Sequence, residues 1–237
     1  MMARSTPEAP VGGDPEHIIS APALLPARSP SLAEQAAETI VNGIASGALK
    51  PGQRLIEADL AATLKMSRVP LREALKILEA QGIVAATRHR GSYIPRFDDR
   101  RIEHICEARI ALERIAIRGA VATYAASPDR LSLLDAIVAQ MENAASRLAW
   151  MEVSQADLAF HREICRASDN DVVLTLWESL ARHVFIVFGQ EIRDEEDAAI
   201  MGPQHRRLRD LLATGEVEQL MGEIGSHILR LRRPERN

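Results

Sequence analysis

The 237-residue chain is 46% hydrophobic but only 3% aromatic. This composition supports a packed core, excludes disorder of the whole chain and disfavours an architecture built mainly of strands. The net charge of −4 gives no sign of nucleic acid, but residues 31–97 carry 9 basic and 6 acidic side chains, whereas residues 98–237 carry 18 and 24. The sequence therefore predicts a basic module followed by an acidic one.

No segment has the features of a membrane span or an export signal. No apolar run approaches the roughly 18 residues that cross a bilayer, and the N-terminal stretch lacks the apolar centre of a signal peptide. Cys106 and Cys165 stand alone, without a CxxC spacing, which suits a reducing compartment. We therefore expect a cytoplasmic protein with no disulfide framework and no membrane partner.

The basic module is predicted to follow a mobile extension. Residues 1–30 are rich in proline and show little hydrophobic periodicity, so we expect this extension to lack a fixed structure. A helix then begins after Ser31, whose hydroxyl and Glu34 are spaced as a capping box. Ser67 is placed to cap a later helix. The predicted elements are helices over 32–45, 57–64 and 68–81 and a small hairpin over 83–95.

Everything after the basic module has the hydrophobic period of helices. Pro128, the Asp169-Asn170 pair and Gly215 separate the helical segments. Long helices with short connections imply an antiparallel bundle. The fold expected for the whole chain is mainly α, with an all-helical bundle over residues 98–233. The predicted helices run approximately over 99–125, 128–148, 151–168, 171–190, 195–214 and 216–232.

The order helix, turn, helix and Gly-tipped hairpin over residues 31–97 is typical of a winged helix-turn-helix, whose second helix enters the DNA major groove. Arg68 and Arg72 lie one turn apart at the start of that helix, away from its leucines. An Arg side chain can bond the O6 and N7 atoms of guanine or clamp a phosphate. Arg88 and Arg90 cluster at the tip of the predicted wing. The alternative interpretation is that these arginines form a solvated surface.

The same module resembles a known family. The run over 47–57 and the stretch SRVPLREAL over 67–75 resemble the DNA-binding domain of GntR-family transcription regulators, and the match covers about residues 31–97. The resemblance implies a recognition helix whose arginines contact bases or phosphates and a wing that also meets DNA. The DNA-contacting residues expected on these grounds are Ser67, Arg68, Arg72, Arg88, Arg90 and Gly91.

Two positions depart from the family's pattern. Lys65 stands where the family usually has Gly in the turn, and Ala58 stands where some relatives carry a contacting Arg. The operator sequence therefore does not transfer from the family to this chain.

Three histidines and one carboxylate of the acidic module lie on helix faces that turn toward the bundle interior. Asp157 and His161 are four residues apart, so both project from one face and can chelate a single ion. His205 and His227 share their faces with Leu and Ile residues, and metal sites in bundles are built from such inward ligands. This ligand set suits Zn²⁺, Ni²⁺, Mn²⁺ or Fe²⁺. Hydrogen-bonded core histidines are the alternative interpretation.

Arg109 lies on an apolar stripe of the first bundle helix, where a charge needs a partner because unpaired burial is costly. Glu113, one turn later, is placed to be that partner. The functional interpretation is that Arg109 also binds a ligand carboxylate. A six-coordinate ion with four protein ligands would leave two positions for water or a chelating organic acid.

The acidic module resembles the FCD ligand-binding domain of the FadR-like branch of the GntR family over about residues 99–232. The resemblance implies that the Asp and the three His named above hold a divalent ion. The effector-binding residues expected in this module are Arg109 and Asn170. The resemblance further implies a homodimer that responds to a small carboxylate, a sugar acid or a related metabolite. The residues that carry it are Arg109 to Glu113, Asp157 to His161, Ser168 to Asn170, His205 and His227.

The leading hypothesis is a dimeric transcription regulator, by family resemblance a repressor, that responds to a small organic acid. Effector binding in the bundle would change the placement of the two basic modules and hence the affinity for double-stranded operator DNA. The competing hypothesis is a metal-dependent hydrolase or lyase in which the ion activates water. No general base outside the ligand set stands out, and an enzyme would leave the basic module unexplained.

Overall fold

The computed structural model describes residues 30–87, 91–191 and 195–230. The extension predicted over residues 1–30 therefore lies outside the described residues except for its last position. The described chain is mainly helical with a small sheet, as the sequence predicts. The first module contains α1 (Leu32–Ala45), β1 (Arg54–Leu55), α2 (Glu57–Thr63), α3 (Arg68–Ala80), β2 (Ala85–Thr87) and β3 (Gly91–Tyr93).

The second module is a bundle in which α4 packs on α6, α7 and α9, while α5 packs on α6 and α8. Every helix expected in this module is present, with ends that differ from the prediction by a few residues at most. Its helices are α4 (Asp99–Ala126), α5 (Leu131–Ser146, preceded by a 3₁₀ turn over Pro128–Arg130), α6 (Trp150–Ala167), α7 (Asp171–Glu191), α8 (Glu195–Thr214) and α9 (Val217–Arg230).

The start of α1 is fixed by the expected capping box. The Ser31 Oγ accepts a hydrogen bond from the Glu34 amide at 3.2 Å, and the Glu34 carboxylate accepts one from the Ser31 amide at 2.7 Å. Because these bonds stabilise the ionised carboxylate, they lower the pKa of Glu34. The prediction made from the Ser-x-x-Glu spacing is confirmed.

The start of α3 is different, and the expected cap there is wrong. Ser67 occupies the residue before the helix, but its side chain makes no capping hydrogen bond. A capping hydroxyl accepts from the amide of the second or third helical residue, and here the third is Pro70, which has no amide hydrogen. The Ser67 hydroxyl therefore stays exposed on the surface of the module.

The small sheet has a strand that the sequence did not predict. Antiparallel β2 and β3 form the expected hairpin, and β1 pairs with the other edge of β3, placing Arg54 opposite Tyr93. The hairpin strand begins at Ala85 rather than at Ile83, because Ile83 and the residue after it are fully buried under α3 and their amides bond the carbonyl of Leu78. A two-residue strand such as β1 carries no alternation that a sequence can reveal.

Each module has its own hydrophobic core, and α7 contributes to both. Trp177 and Phe188 of α7 lie in the core of the bundle, whereas Phe185 and Ile186 are buried with the side chains of α1 and α3. A helix that buries residues in two cores is apolar on most of its surface. The two modules are therefore packed together along this helix.

The apolar composition of α7 differs from one expectation drawn from the sequence, and its burial in two cores explains why. Over Asp171–Gln190 the helix is long and apolar enough to cross a membrane by length and composition, with a mean hydropathy of 1.5. The sequence was expected to contain no such run. Half of this stretch is buried inside the protein, so contacts with two cores account for the apolar composition.

Polar contacts also join the modules beside α7. Arg182 donates to the Glu38 carboxylate on α1 at 2.7 Å and to the Gln81 side chain after α3 at 3.0 Å. The Gln190 side chain donates to the carbonyl of Ile44 at 3.0 Å. These bonds connect α7 to the middle and the end of α1 and to the residue that follows α3.

The turn between α2 and α3 contains strained backbone. Lys65 has φ of +51°, and its amide and the next one bond back to the carbonyls of Ala62 and Ala61 in a Schellman arrangement. Left-handed backbone costs a residue with a Cβ roughly 1–2 kcal/mol, which Gly avoids.

Lys65→Gly should therefore raise the free energy of unfolding by about 0.5–1 kcal/mol, because relief of strain exceeds the added entropy of the unfolded chain. Chemical denaturation measures this change. Lys65→Ala is the control, since it removes the same charge but keeps the Cβ. An equal gain in both variants would assign the effect to charge rather than to backbone strain.

Candidate functional site

Four side chains with metal-ligand chemistry meet in the middle of the bundle. Asp157 and His161 come from α6, His205 from α8 and His227 from α9, and all four are buried. One donor atom from each lies within 4.8 Å of the others. The structure thus brings together the four residues that the sequence analysis selected as metal ligands.

Hydrogen bonds fix the orientation of two of these imidazoles. The Nδ1 of His161 lies 2.6 Å from the Glu113 carboxylate, and the Nδ1 of His205 lies 2.8 Å from the carbonyl oxygen of Met201. Both partners are acceptors, so each Nδ1 carries a hydrogen and donates it. In a neutral imidazole the other nitrogen then has a free lone pair, and a carboxylate or carbonyl behind the ring is the usual support of a metal-binding histidine.

The Nε2 atoms of these two imidazoles face other members of the cluster. His161 Nε2 is 3.2 Å from His227 Nε2, and His205 Nε2 is 3.1 Å from an oxygen of Asp157. The Nδ1 of His227 is buried and has no hydrogen-bond partner among the residues that the structure describes. Lone pairs that face each other at this distance repel unless a proton or a cation lies between them, so the centre of the cluster favours positive charge.

Arg109 and Glu113 form the wall behind the cluster. The Arg109 Nε donates to Glu113 at 2.8 Å, which confirms the expected pair, and its Nη2 donates to Asp157 at 3.1 Å. Trp177 also donates to Glu113, at 3.1 Å. The guanidinium of Arg109 lies 4.9 Å from the ring centre of Phe188. Two donors of this Arg are therefore already used within the protein.

Two members of the site, Glu113 and Trp177, have roles that were not expected from the sequence. Glu113 was expected to pair only with Arg109, but the same carboxylate also orients His161. The four-residue spacing from Arg109 was a usable signal for the first contact, whereas no sequence signal connects Glu113 to a histidine 48 residues later. No sequence signal pointed to Trp177 as a donor in the site, because a Trp on an apolar helix is expected to be an ordinary core residue.

The two carboxylates stay ionised despite their burial. Burial by itself favours their neutral forms, but His161 and Arg109 outweigh it at Glu113 and lower its pKa to about 2. At Asp157 burial acts in the same direction, and the charges of Arg109 and His161 again hold the pKa well below its usual range. Both carboxylates therefore keep their negative charge inside the bundle, and Arg109 offsets part of it.

The three histidines differ in pKa. Burial opposes the charged form of His161, but the Glu113 and Asp157 carboxylates raise its pKa above the usual value. Burial lowers the pKa of His205, and burial together with the neighbouring His205 and His161 rings lowers that of His227. Two of the imidazoles are thus neutral at neutral pH, which is the form that binds metals.

Asn170, the other expected effector ligand, lies outside this cluster. Its side-chain oxygen accepts a hydrogen bond from the Val173 amide at 3.0 Å, so it caps the start of α7. The residue is exposed, whereas the cluster is buried. Its role in binding an effector stays a prediction.

The expected DNA-contacting residues lie on the surface of the first module. Ser67, Arg68 and Arg72 are exposed at the start of α3, and the Nε of Arg72 donates to the Glu57 carboxylate at 2.7 Å. Gly91 begins β3 with φ of +75°, a conformation that favours glycine. The predicted contacts from 88 and 90 lie outside the described residues.

Arg54 is an addition to this surface that sequence reasoning missed. It is exposed on β1, and its guanidinium nitrogens lie 3.7 Å from the point where a Cβ on Gly91 would stand. Within the described part of the chain no ion pair involves Arg54. The pairing of β1 with β3, which the sequence did not reveal, brings this free cation to the wing.

Two protein families match the chain, one over each module. Residues 32–94 match the bacterial regulatory proteins of the gntR family, and residues 104–230 match the FCD domain. Together the two matches cover most of the described residues.

Individual relatives agree with the family matches. A probable D-xylose utilization operon transcriptional repressor of Paenarthrobacter nicotinovorans is 28% identical over 200 residues, covering 84% of this chain and 86% of the relative. An uncharacterized HTH-type transcriptional regulator of Mycobacterium tuberculosis is 33% identical over 186 residues, covering 73% and 72%. The solved structure of E. coli McbR/YncC has a similar fold, with a TM-score of 0.71 at 21% identity over 84% of this chain and 94% of that one.

The family and the relatives by sequence are transcriptional regulators and not enzymes, which sets aside the hydrolase or lyase hypothesis. The winged module and the helical module each match the family part expected at that position. The chain therefore belongs to the GntR family of bacterial regulatory proteins and carries an FCD domain.

Proposed function

We propose that this chain is a cytoplasmic, homodimeric repressor that binds operator DNA through its first module and a small carboxylate effector at a divalent metal ion in its second. The observation that carries the metal-dependent part is the buried cluster of Asp157, His161, His205 and His227. A core without a cation gains nothing from three imidazoles around two ionised carboxylates, because each polar group there loses contact with water.

The donor set suits a metal ion, and one pair of its nitrogens has the spacing of two ligands on one ion. Two ligands that bind one ion at about 2.1 Å lie roughly 3.0–3.4 Å apart when they are neighbours in the coordination sphere, and His161 Nε2 and His227 Nε2 are 3.2 Å apart. One oxygen and three nitrogens suit Zn²⁺, Ni²⁺, Mn²⁺ or Fe²⁺. When bound, the ion supplies a Lewis-acid position to which an effector carboxylate can coordinate.

Arg109 contributes to effector binding mainly through its charge. Its Nε and Nη2 are held by Glu113 and Asp157, so it does not offer an entirely free fork to a ligand. The guanidinium of Arg109 offsets part of the negative charge of Glu113 and Asp157 and thereby makes the site less repulsive to an anionic effector. Asn170 remains a second candidate contact, at the start of α7.

On the DNA side, the exposed start of α3 is proposed as the reading surface. Ser67 has a hydroxyl that no capping bond uses, and Arg68 and Arg72 project from one face of the helix. Gly91 begins the second strand of the hairpin and Arg54 lies beside it, while Arg88 and Arg90, outside the described residues, are proposed as further contacts by sequence alone. This surface combines base-reading and phosphate-binding side chains as winged modules do.

Helix α7 is the route by which the effector site would influence DNA binding. Trp177 and Phe188 contact the Glu113–Arg109 wall, while Phe185 and Arg182 of the same helix are packed or bonded against the first module. A small shift of α7 on effector binding would therefore move the DNA-binding module relative to the bundle.

An apolar surface on α4 and α7 is the proposed dimer contact. Ile115 on α4 and Val172 and Leu176 on α7 are 48%, 63% and 51% exposed, and the two helices pack side by side. Exposed apolar residues on adjacent helices favour burial against a partner. A second copy is the partner that a two-half-site operator calls for.

Arg68→Ala and Arg72→Ala should each weaken binding to a duplex enriched from a random library by the wild-type protein. Loss of a base contact costs about 1–3 kcal/mol, which is roughly 5- to 150-fold in affinity. Fluorescence anisotropy measures the change, and Arg206→Ala in the acidic module is the control.

The affinity of the wild-type protein for the same duplex should fall about 10³–10⁵-fold between 50 and 200 mM salt if the dimer makes about 6–10 phosphate contacts. A flat salt response would contradict DNA binding.

The purified protein should hold about one equivalent of divalent metal per chain, because the cluster supplies four ligands. His205→Gln and His227→Asn should lose most of it, whereas His104→Ala, an exposed histidine on α4, should retain it. Elemental analysis measures the content, and circular dichroism checks that the variants fold. A chelator should also lower the melting temperature of wild type, since ion at about 100 times its Kd stabilises by about 2.7 kcal/mol. Equal metal content in all four proteins would refute the site.

Leu176→Glu should convert the protein from dimer to monomer, because it places a charge in the proposed contact. Sedimentation equilibrium measures the mass. Leu133→Glu, at a residue of similar exposure on α5 (47%), should leave the dimer intact. If both variants remain dimeric, the contact lies elsewhere.

A further inference from the structure

The ion pair between Arg72 and Glu57 lies on the surface where the recognition helix would meet DNA. The two side chains are 60% and 39% exposed. Surface ion pairs of this kind contribute little to folding stability, typically about 0–1 kcal/mol. Folding stability therefore does not account for the presence of this ion pair.

The geometry leaves one edge of the Arg72 guanidinium available. Its Nε donates to a Glu57 oxygen at 2.7 Å, and the described residues make no other ion pair with it. The edge formed by Nη1 and Nη2 is the one that bonds guanine O6 and N7 together. An Arg held at its Nε thus presents this edge in a limited range of directions.

The carboxylate that holds Arg72 stands where a helix begins. Glu57 is the first residue of α2, where the positive end of the helix dipole favours an anion. Ordering a free Arg side chain costs up to about 2 kcal/mol of rotamer entropy, and this bond restricts the side chain before DNA arrives. Arg68, one turn earlier on α3, forms no ion pair among the described residues and has no such restraint.

From these contacts we infer that Arg72 reads a guanine in the major groove and that Glu57 is the positioning residue that sets its specificity. Glu57 acts in two ways. It holds the guanidinium edge toward the bases, and its negative charge disfavours a swing of Arg72 onto the phosphate backbone and weakens binding to unrelated DNA. The inference rests on the proposed DNA contact of Arg72 and adds the base and the residue that orients it.

The test uses the full-length protein and the duplex that wild type enriches from a random library. Each guanine of a half-site is replaced in turn by 7-deazaguanine, which lacks the N7 acceptor. One replacement should weaken wild-type binding about 10-fold or more and should have no further effect on Arg72→Ala. In Glu57→Gln the same replacement should cost less than 3-fold, while affinity for an unrelated duplex rises several-fold.

Asp59→Asn is the matched control, because Asp59 is an exposed acid in the same first turn of α2 and makes no ion pair within the described residues. It changes the charge equally, so it should raise affinity for unrelated DNA without reducing the 7-deazaguanine penalty. If both variants lose the penalty, or neither does, Glu57 does not position Arg72. If no guanine replacement is coupled to Arg72 while wild type still binds the duplex, the guanine contact is wrong but DNA binding stands; absence of any enriched duplex would instead refute the proposed function.

Discussion

The burial of charge at the centre of the bundle is the constraint on which much of the second module depends. Arg109, Glu113 and Asp157 have almost no contact with solvent, and a buried charge is tolerable only when it is paired and hydrogen-bonded. Their bonds to one another and to His161 and Trp177 require α4, α6 and α7 to keep one relative position. Removal of any one member would leave a buried partner unpaired, so the bundle cannot rearrange without breaking this network.

The same network makes the site suitable for a cation. The carboxylates stay ionised because neighbouring positive charge outweighs burial, and two of the histidines stay neutral because burial outweighs their acidic neighbours. The result is a buried set of lone pairs, of which those on His161 and His205 are held in direction by hydrogen bonds. If the positions of these carboxylates and imidazoles only filled the core, Leu or Phe would serve there, as apolar side chains do in the neighbouring turns.

Helix α7 connects this chemistry to the first module, which carries the proposed DNA-binding surface. Residues of one helix contact the charged wall, the core of the first module and the polar clamp made by Arg182. A rigid element shared by two cores is a physical basis for coupling between sites. It also explains why α7 has the composition of a membrane-spanning helix: two protein cores cover faces that lipid would otherwise cover.

The sequence by itself determined the local structure and the chemical candidates. Helix ends followed from the Ser31–Glu34 spacing and from glycines and prolines, because caps and turns act within a few residues. The spacing of Asp157 and His161, and the faces of His205 and His227, selected side chains that do meet inside the bundle, because helical period decides which face of a helix each one occupies. Tertiary structure decided everything that joins distant residues. The β1 strand, the link from Glu113 to His161, the pairing of Glu57 with Arg72 and the burial of α7 in two cores all depend on contacts between segments far apart in the chain, where no local pattern records which segments will meet.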